Sequence, residues 1–281
     1  MDYKLINSDE LLAGLRNHFY SNNITKIAMD FEGDFGTYSY GNKLCLIQIY
    51  DGKLFYIADP FRISRDEMIK FLGDKRTIKY MYGAGSDIKL IYDQYKIKVQ
   101  GVYDLQLLVD VLDISPKSLD TVIKNVLNFS LNFDKKKYQM YNWARRPLPA
   151  DLIEYALSDV KYLYALHDTL WNRITAENLV DQLIEKMIRV DYDFELRDNI
   201  PAIFKSKTYQ VLPENKKILF KKIYDIREET GKKYDIPSSQ IISKEDLFKL
   251  SDNISLINTL AFNRRITENI RNEIVRGIKS L

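Results

Sequence analysis

The chain has 281 residues, 46% hydrophobic and 29% charged, an ordinary globular balance. Its single cysteine, Cys45, excludes an intramolecular disulfide, and no apolar run approaches the ~20 residues of a membrane span. The net charge of +3 hides an asymmetry: from Glu214 onward 14 Lys/Arg face 10 Asp/Glu, whereas the first 213 residues carry 28 and 29. The length fits one large domain or two smaller ones. The start, Met1-Asp2-Tyr3-Lys4, has no apolar signal region, and Cys45 sits in the apolar run Leu44-Cys45-Leu46-Ile47. Both fit a reducing, cytoplasmic setting. The basic excess reads either as a mixed solvated helical surface or as a nucleic-acid footprint.

In chain order, Ile24 to Glu32 alternates as a strand entering a core. Lys43 to Tyr50 is a second strand, Asp51-Gly52 a hairpin signal, and Lys53 to Ala58 a third strand, so the three should form an antiparallel unit. Ser64 and Glu67 have capping-box spacing and start a helix. Thr77 to Tyr82 reads as a strand, Ser86 to Tyr95 as a helix, and Val102-Tyr103 as a short strand. Helices are expected over 105–113 and 118–127, and a polar, basic and aromatic loop from Asp134 to Pro149. Pro149 then opens one long helix to about Arg173. Strand signals fade after Thr175. Residues 181–213, with Pro201 and Pro213, read as a linker between a mixed α/β domain over 1–180 and a small helical domain over 214–281. In the latter, Ile218, Leu219, Ile223 and Ile226 fall at helix spacing, as do Leu247 with Leu250, and Ile266, Ile270 and Ile274.

The chemistry sits in acids. Asp30 and Glu32 are two apart on a strand, so both carboxylates point one way while Phe31 points the other. Side by side they repel, and a divalent cation with hard oxygen ligands, Mg²⁺ or Mn²⁺, relieves that repulsion. Tyr155 and Asp159, four apart on the long helix, share a face. Asp87 follows Gly83-Ala84-Gly85-Ser86 at a strand-to-helix turn, where the G-x-G-x-x-G spacing fails. Taken singly, each acid also reads as a solvated strand end or a surface helix acid.

Their order along the chain is specific. It resembles the DEDDy exonuclease superfamily, and most closely the ribonuclease D family, through Ala28-Met29-Asp30-Phe31-Glu32, Gly85-Ser86-Asp87-Ile88 and Tyr155-Ala156-Leu157-Ser158-Asp159. Leu44 to Ile49 is similar to that family's second strand, and Trp143-Ala144-Arg145-Arg146-Pro147-Leu148 to the segment before its last motif. The tail, with Glu228-Glu229 through Ile236-Pro237 and Ile242-Ser243, resembles a single HRDC domain.

The resemblance implies a ribonuclease H-like mixed sheet flanked by helices, plus a small all-α HRDC-like domain. It further implies a 3′–5′ exoribonuclease that releases 5′-mononucleotides by two-metal-ion hydrolysis. Asp30, Glu32, Asp87 and Asp159 would hold the two Mg²⁺ or Mn²⁺ ions, and Tyr155 would orient the attacking water. RNA, with tRNA precursors foremost, is the implied partner. Single-stranded DNA and a non-catalytic nucleic-acid-binding role are the alternatives; no membrane and no obligate protein partner is indicated. Lys135, Lys136, Lys137, Trp143, Arg145 and Arg146 are candidate nucleic-acid contacts, cations for phosphates and an aromatic for bases. Their alternative is a solvated loop with one buried Trp. Asp104 reads as structural, Gln48 as a group hydrogen-bonding within the sheet, and His18 and His167 as surface or packing residues.

Overall fold

The computed structural model describes residues 1–130, 135–190, 192 and 200–281; the side chains of Lys135 and Lys136 lie outside the described residues. The chain divides into two compact units. One comprises Met1–Gly33 and Leu44–Glu195, the other Asp34–Lys43 and Leu196–Leu281. No helix among the described residues is long and apolar enough to cross a membrane.

The first unit is built on six strands: β1 (Tyr3–Ile6), β2 (Lys26–Phe35), β3 (Asn42–Tyr50), β4 (Phe55–Ala58), β5 (Ile78–Met81) and β6 (Val102–Asp104), in the order β1-β4-β3-β2-β5-β6. β3 and β4 are antiparallel, with Gln48 opposite Ile57, whereas β1–β4, β2–β5 and β5–β6 are parallel, so the sheet is mixed. The β3–β4 turn closes on Asp51, whose carboxylate accepts the backbone N–H groups of Lys53 and Leu54 at 2.8 and 2.7 Å. Gly52 takes φ +95°, a conformation that suits glycine.

Helices cover both faces. α1 (Asp9–Ser21), α2 (Arg65–Leu72) and α3 (Gly85–Tyr95) lie on one. There Leu12, Leu15, Phe19, Phe71, Ile88 and Ile91 pack against Ile27, Met29 and Phe31 of β2. Ser64 caps α2 by accepting the N–H of Glu67, as the capping-box spacing requires. α4 (Gln106–Val111), α5 (Leu119–Leu127), α6 (Lys135–Gln139), α7 (Ala150–Lys161), α8 (Leu163–Ala176) and α9 (Val180–Arg189) complete the unit. On the second face Val160, Leu163, Leu166 and Leu170 pack with Ala28 and Tyr80, and Tyr155, Ala156 and Leu157 with Cys45, Leu46 and Ile57.

Several elements differ from the sequence expectation. β1 and α1 precede the first expected strand. α6 forms inside the expected loop. The single long helix is two, α7 and α8, separated at Tyr162 with φ −99° and ψ −3°; no proline or glycine marks that break. Within the expected linker, α9 buries Leu183 in the second-face core and pairs Lys186 with Asp110 at 3.2 Å.

The second unit carries α10 (Ala202–Lys205), α11 (Lys207–Gln210), α12 (Glu214–Tyr234), α13 (Ser238–Ile241), α14 (Lys244–Asp252) and α15 (Glu268–Lys279). Phe220, Ile223, Leu247, Leu250, Ile270, Ile274 and Ile278 form its core, with Phe204 and Tyr209 packed against it. Ile218, at matching helix spacing, is instead 55% exposed. Within this unit, Asp235 accepts from the N–H of Tyr40 at 3.1 Å and from Lys43 Nζ at 2.8 Å, and Arg265 donates to the carbonyl of Tyr38 at 2.8 Å.

Candidate active site

β2 sends Met29 and Phe31 into the α1–α3 face and leaves Asp30 and Glu32 on the opposite face with Ala28. α7 covers that face. Asp30, Glu32 and Asp159 each offer one carboxylate oxygen, and these oxygens lie within 4.8 Å of one another. The three are half-buried.

The electrostatics match such crowding. Asp30 is raised well above the ordinary carboxylate range, first by burial, then by Asp87, Asp159 and Glu32, against a lowering hydrogen bond from the Phe31 backbone. Glu32 is raised by burial, then by Asp159 and Asp87. Asp87 is pushed up to about 7, by burial and then by Asp104. Asp87 therefore acts on both β2 acids, and the four acids proposed from sequence share one negative field. The donor set, all hard oxygens held close and costly to ionise together, fits a divalent cation.

Asp87 owes its position to a clamped turn. Asp104, at the end of β6, accepts the N–H of Gly83 at 2.8 Å and of Gln106 at 3.0 Å through Oδ1, and the N–H of Ala84 at 2.9 Å through Oδ2. The Tyr192 hydroxyl donates to the same Oδ2 at 3.2 Å. Gly83 has φ +66°, and a Cβ there would meet Gln106 Oε1 at 2.9 Å, so only glycine passes the turn unstrained. The structural reading of Asp104 agrees with this arrangement.

Tyr155 is buried, its ring stacked on Tyr138 at 4.8 Å and beside Trp143 at 6.3 Å. Burial, then Asp159, Glu32 and Asp30, then Asp120 on α5, push its hydroxyl above the usual phenol range, so it stays protonated as a donor. Asp120 was not anticipated; in sequence it is an ordinary first-turn helix acid, and only the fold brings its charge to bear on Tyr155.

The basic and aromatic segment divides. Trp143 is 1% exposed, so its ring is core rather than a stacking platform, and its indole N–H has no hydrogen-bond partner among the described residues. The expectation of Trp143 as a base contact is corrected accordingly. Arg146 stays exposed but is engaged: it pairs with both oxygens of Asp59 at 2.9 and 3.0 Å and donates to the carbonyls of Cys45, Trp143 and Arg145. Its fork is engaged by these partners, and its role is to fasten the segment to β3. Arg145 is exposed, and Lys137, 63% exposed, reaches Asp151 at 3.4 Å. The side chains of Lys135 and Lys136 lie outside the described residues.

Residues 3–175 match the family described as 3′–5′ exonuclease. Among curated proteins, the chain is 24% identical over 268 residues to human exosome complex component 10, covering 90% of this chain and 28% of that protein. It is 23% identical over 226 residues to ribonuclease D of Haemophilus influenzae, covering 76% of this chain and 54% of that protein. The chain thus spans about a quarter to a half of the length of these relatives. Among solved structures, Escherichia coli RNase D, described as an exoribonuclease involved in structured RNA processing, superimposes with a TM-score of 0.75 at 19% identity, covering 100% of this chain and 75% of that one. At that identity the likeness concerns the fold.

Proposed function

The chain belongs to the 3′–5′ exonuclease family, and from that premise we propose that it removes 5′-mononucleotides from the 3′ ends of RNA by metal-dependent hydrolysis. The observation that carries the reading is the convergence of Asp30, Glu32 and Asp159 within 4.8 Å, with Asp87 in the same field. Asp30, Glu32 and Asp159 would hold one divalent cation, and Asp30 with Asp87 a second, Mg²⁺ or Mn²⁺. Bound cations supply charge neutralisation of the phosphate and stabilisation of the attacking and leaving oxygens. The protonated Tyr155 hydroxyl orients the attacking water rather than acting as a strong base. Arg145 and Lys137, exposed near the segment that anchors Tyr155, are the described candidates for phosphate contacts.

RNA as substrate is supported by the names of the relatives, ribonuclease D and an exosome component. Within RNA, tRNA 3′ processing is the finer proposal. For the domains we propose that the first unit, with α9 packed into it, is the exonuclease, and that the helical second unit is HRDC-like and adds affinity for structured RNA. The test is to incubate the purified chain with 5′-labelled single-stranded RNA, 3′-tailed tRNA and single-stranded DNA under Mg²⁺ or Mn²⁺. The 5′ label should persist on progressively shorter RNA, with mononucleotide released and all hydrolysis lost in EDTA. Internal cutting of circular RNA, activity in excess chelator, or a preference for DNA over every RNA would overturn the reading.

A further inference from the structure

Gln48 is fully buried, and neither its amide nitrogen nor its amide oxygen has a hydrogen-bond partner among the described residues. A buried amide left without partners is destabilising, so a core position that keeps one asks for a reason. The strand geometry supplies a location. Gln48 pairs directly with Ile57 across β3–β4, and Ile57 packs with Tyr155, Ala156 and Leu157. Its chain neighbours Ile47 and Ile49 belong to the opposite face. The Gln48 side chain therefore lies on the α7 face of the sheet, the face that carries Asp30 and Glu32.

β2 is the neighbour of β3 on its other side. The link from Phe35 to Asn42 is far too short for a parallel crossover, so the two strands run antiparallel. Residues opposite one another across such a pair share a face, so Gln48 on β3 and Asp30 on β2 lie on one face of adjacent strands. The amide thus shares a face, on the adjacent strand, with the carboxylate on which both proposed cations converge. Carboxylates that hold a metal are themselves held by donors behind them, and those donors set the orientation of the ligand oxygen. Gln48 has an uncommitted –NH₂, Asp30 is a carboxylate, and the two share a face on adjacent strands.

We infer that Gln48 is a positioning residue for the cation site: its amide donates to the Asp30 carboxylate when a divalent ion is held there. The inference rests on reading the acidic cluster as a cation site. Mn²⁺ alone is the probe, titrated by calorimetry into the full-length, chelator-stripped protein and into Gln48→Met, which keeps the volume and removes the amide. Mn²⁺ affinity should fall about tenfold or more, while the metal-free melting temperature holds or rises because an unpartnered amide has been removed. Equal Mn²⁺ affinity in a folded Gln48→Met overturns the inference and leaves the cation site intact; no Mn²⁺ binding by the wild type overturns the site itself. A second measurement needs no altered fold. The side-chain amide resonance of Gln48 in the wild type, assigned through its own backbone, should shift and gain protection from exchange on addition of Mg²⁺. A Gln48 resonance unmoved by saturating Mg²⁺ also overturns the inference.

Discussion

Asp104 Oδ2 accepts the backbone N–H of Ala84 at 2.9 Å, three residues before Asp87 and twenty residues away in sequence. With Oδ1 on Gly83 and Gln106, the one carboxylate fixes the turn that aims α3's first acid at the site. Asp104→Asn replaces one accepting oxygen by a donor that faces donors. A loss of about 1–3 kcal/mol in stability should follow, with turnover lowered far less than by loss of Asp30. Thermal unfolding and single-turnover rates on 5′-labelled RNA check this. An inactive yet equally stable Asp104→Asn would give Asp104 a direct part in the chemistry.

Asp30→Asn should do two opposite things. Turnover should fall by orders of magnitude, because a cation ligand loses its charge. In metal-free buffer the protein should become more stable, because Asp30 is a costly charge among Asp87, Asp159 and Glu32. A rise of roughly 2–4 °C in melting temperature corresponds to about 1 kcal/mol for a chain of this size. Added Mg²⁺ should stabilise the wild type and much less the variant. A variant that melts lower than wild type in EDTA would mean the acids do not repel as placed.

The pH dependence follows with its sign. Asp30, Glu32 and Asp87 all have folded carboxyls raised above their ordinary values of 3.8, 4.5 and 3.8, Asp87 to about 7. The folded state thus binds more protons than the unfolded state across this window, and stability falls as pH rises. The contribution is fully present below the unfolded carboxylate values and lost as pH climbs through about 7. In chelator, the melting temperature should decline from about pH 5 to about pH 8; with saturating Mg²⁺ the decline should flatten. Cation binding near pH 6 should release protons, which calorimetry in buffers of different ionisation enthalpy reads directly.

Tyr155→Phe keeps the ring that stacks on Tyr138 and Trp143 and removes only the hydroxyl. Turnover should drop by about 10²–10⁴, the range for a lost proton-handling group, with melting temperature and KM near wild type. Because the hydroxyl lies above the usual phenol range, the wild-type rate should show no added rise on approaching pH 10. A rising limb that vanishes in Tyr155→Phe would make the phenolate a base.

Much of the site was legible because its signals are local. Asp30 and Glu32 share a face by strand alternation alone, Tyr155 and Asp159 by helix spacing, and Ser64 announces its helix by its own cap. What was illegible depends on distant partners. Arg146 and Trp143 read as a basic, aromatic surface, yet Asp59, 87 residues earlier, engages the Arg146 guanidinium, and Trp143 is buried in the core. β1 has four residues and one buried side chain, too little pattern to stand out. α1 is different: its Ser8 cap and its Leu12, Leu15 and Phe19 at helix spacing are local signals. The Asp34–Lys43 segment looked like a plain strand connection; its partners Asp235, Gln240 and Arg265 lie some 200 residues on.

Those partners change what removal of the tail should do. A chain ending near Pro213 keeps all four acids and Tyr155. The +4 charge of residues 214–281 leaves with the tail, so each lost phosphate contact should lower the log–log salt slope by about 0.7–0.9. Structured RNA should bind less tightly and less steeply with salt, while short single strands should still be cut at high concentration. A tail that only binds RNA would leave the melting temperature nearly unchanged. The structure argues otherwise: without Asp235 and Arg265, Tyr40 N–H, Lys43 and the Tyr38 carbonyl lose the bonds made to those two side chains, and the melting temperature should fall. Asp235→Ala in the full chain separates the two effects, because it strips the Tyr40 and Lys43 contacts and leaves the basic tail in place. It should lower the melting temperature and leave the salt slope unchanged. A truncated, folded chain with the full chain's RNA affinity and salt slope would show that the tail's charge plays no part in binding.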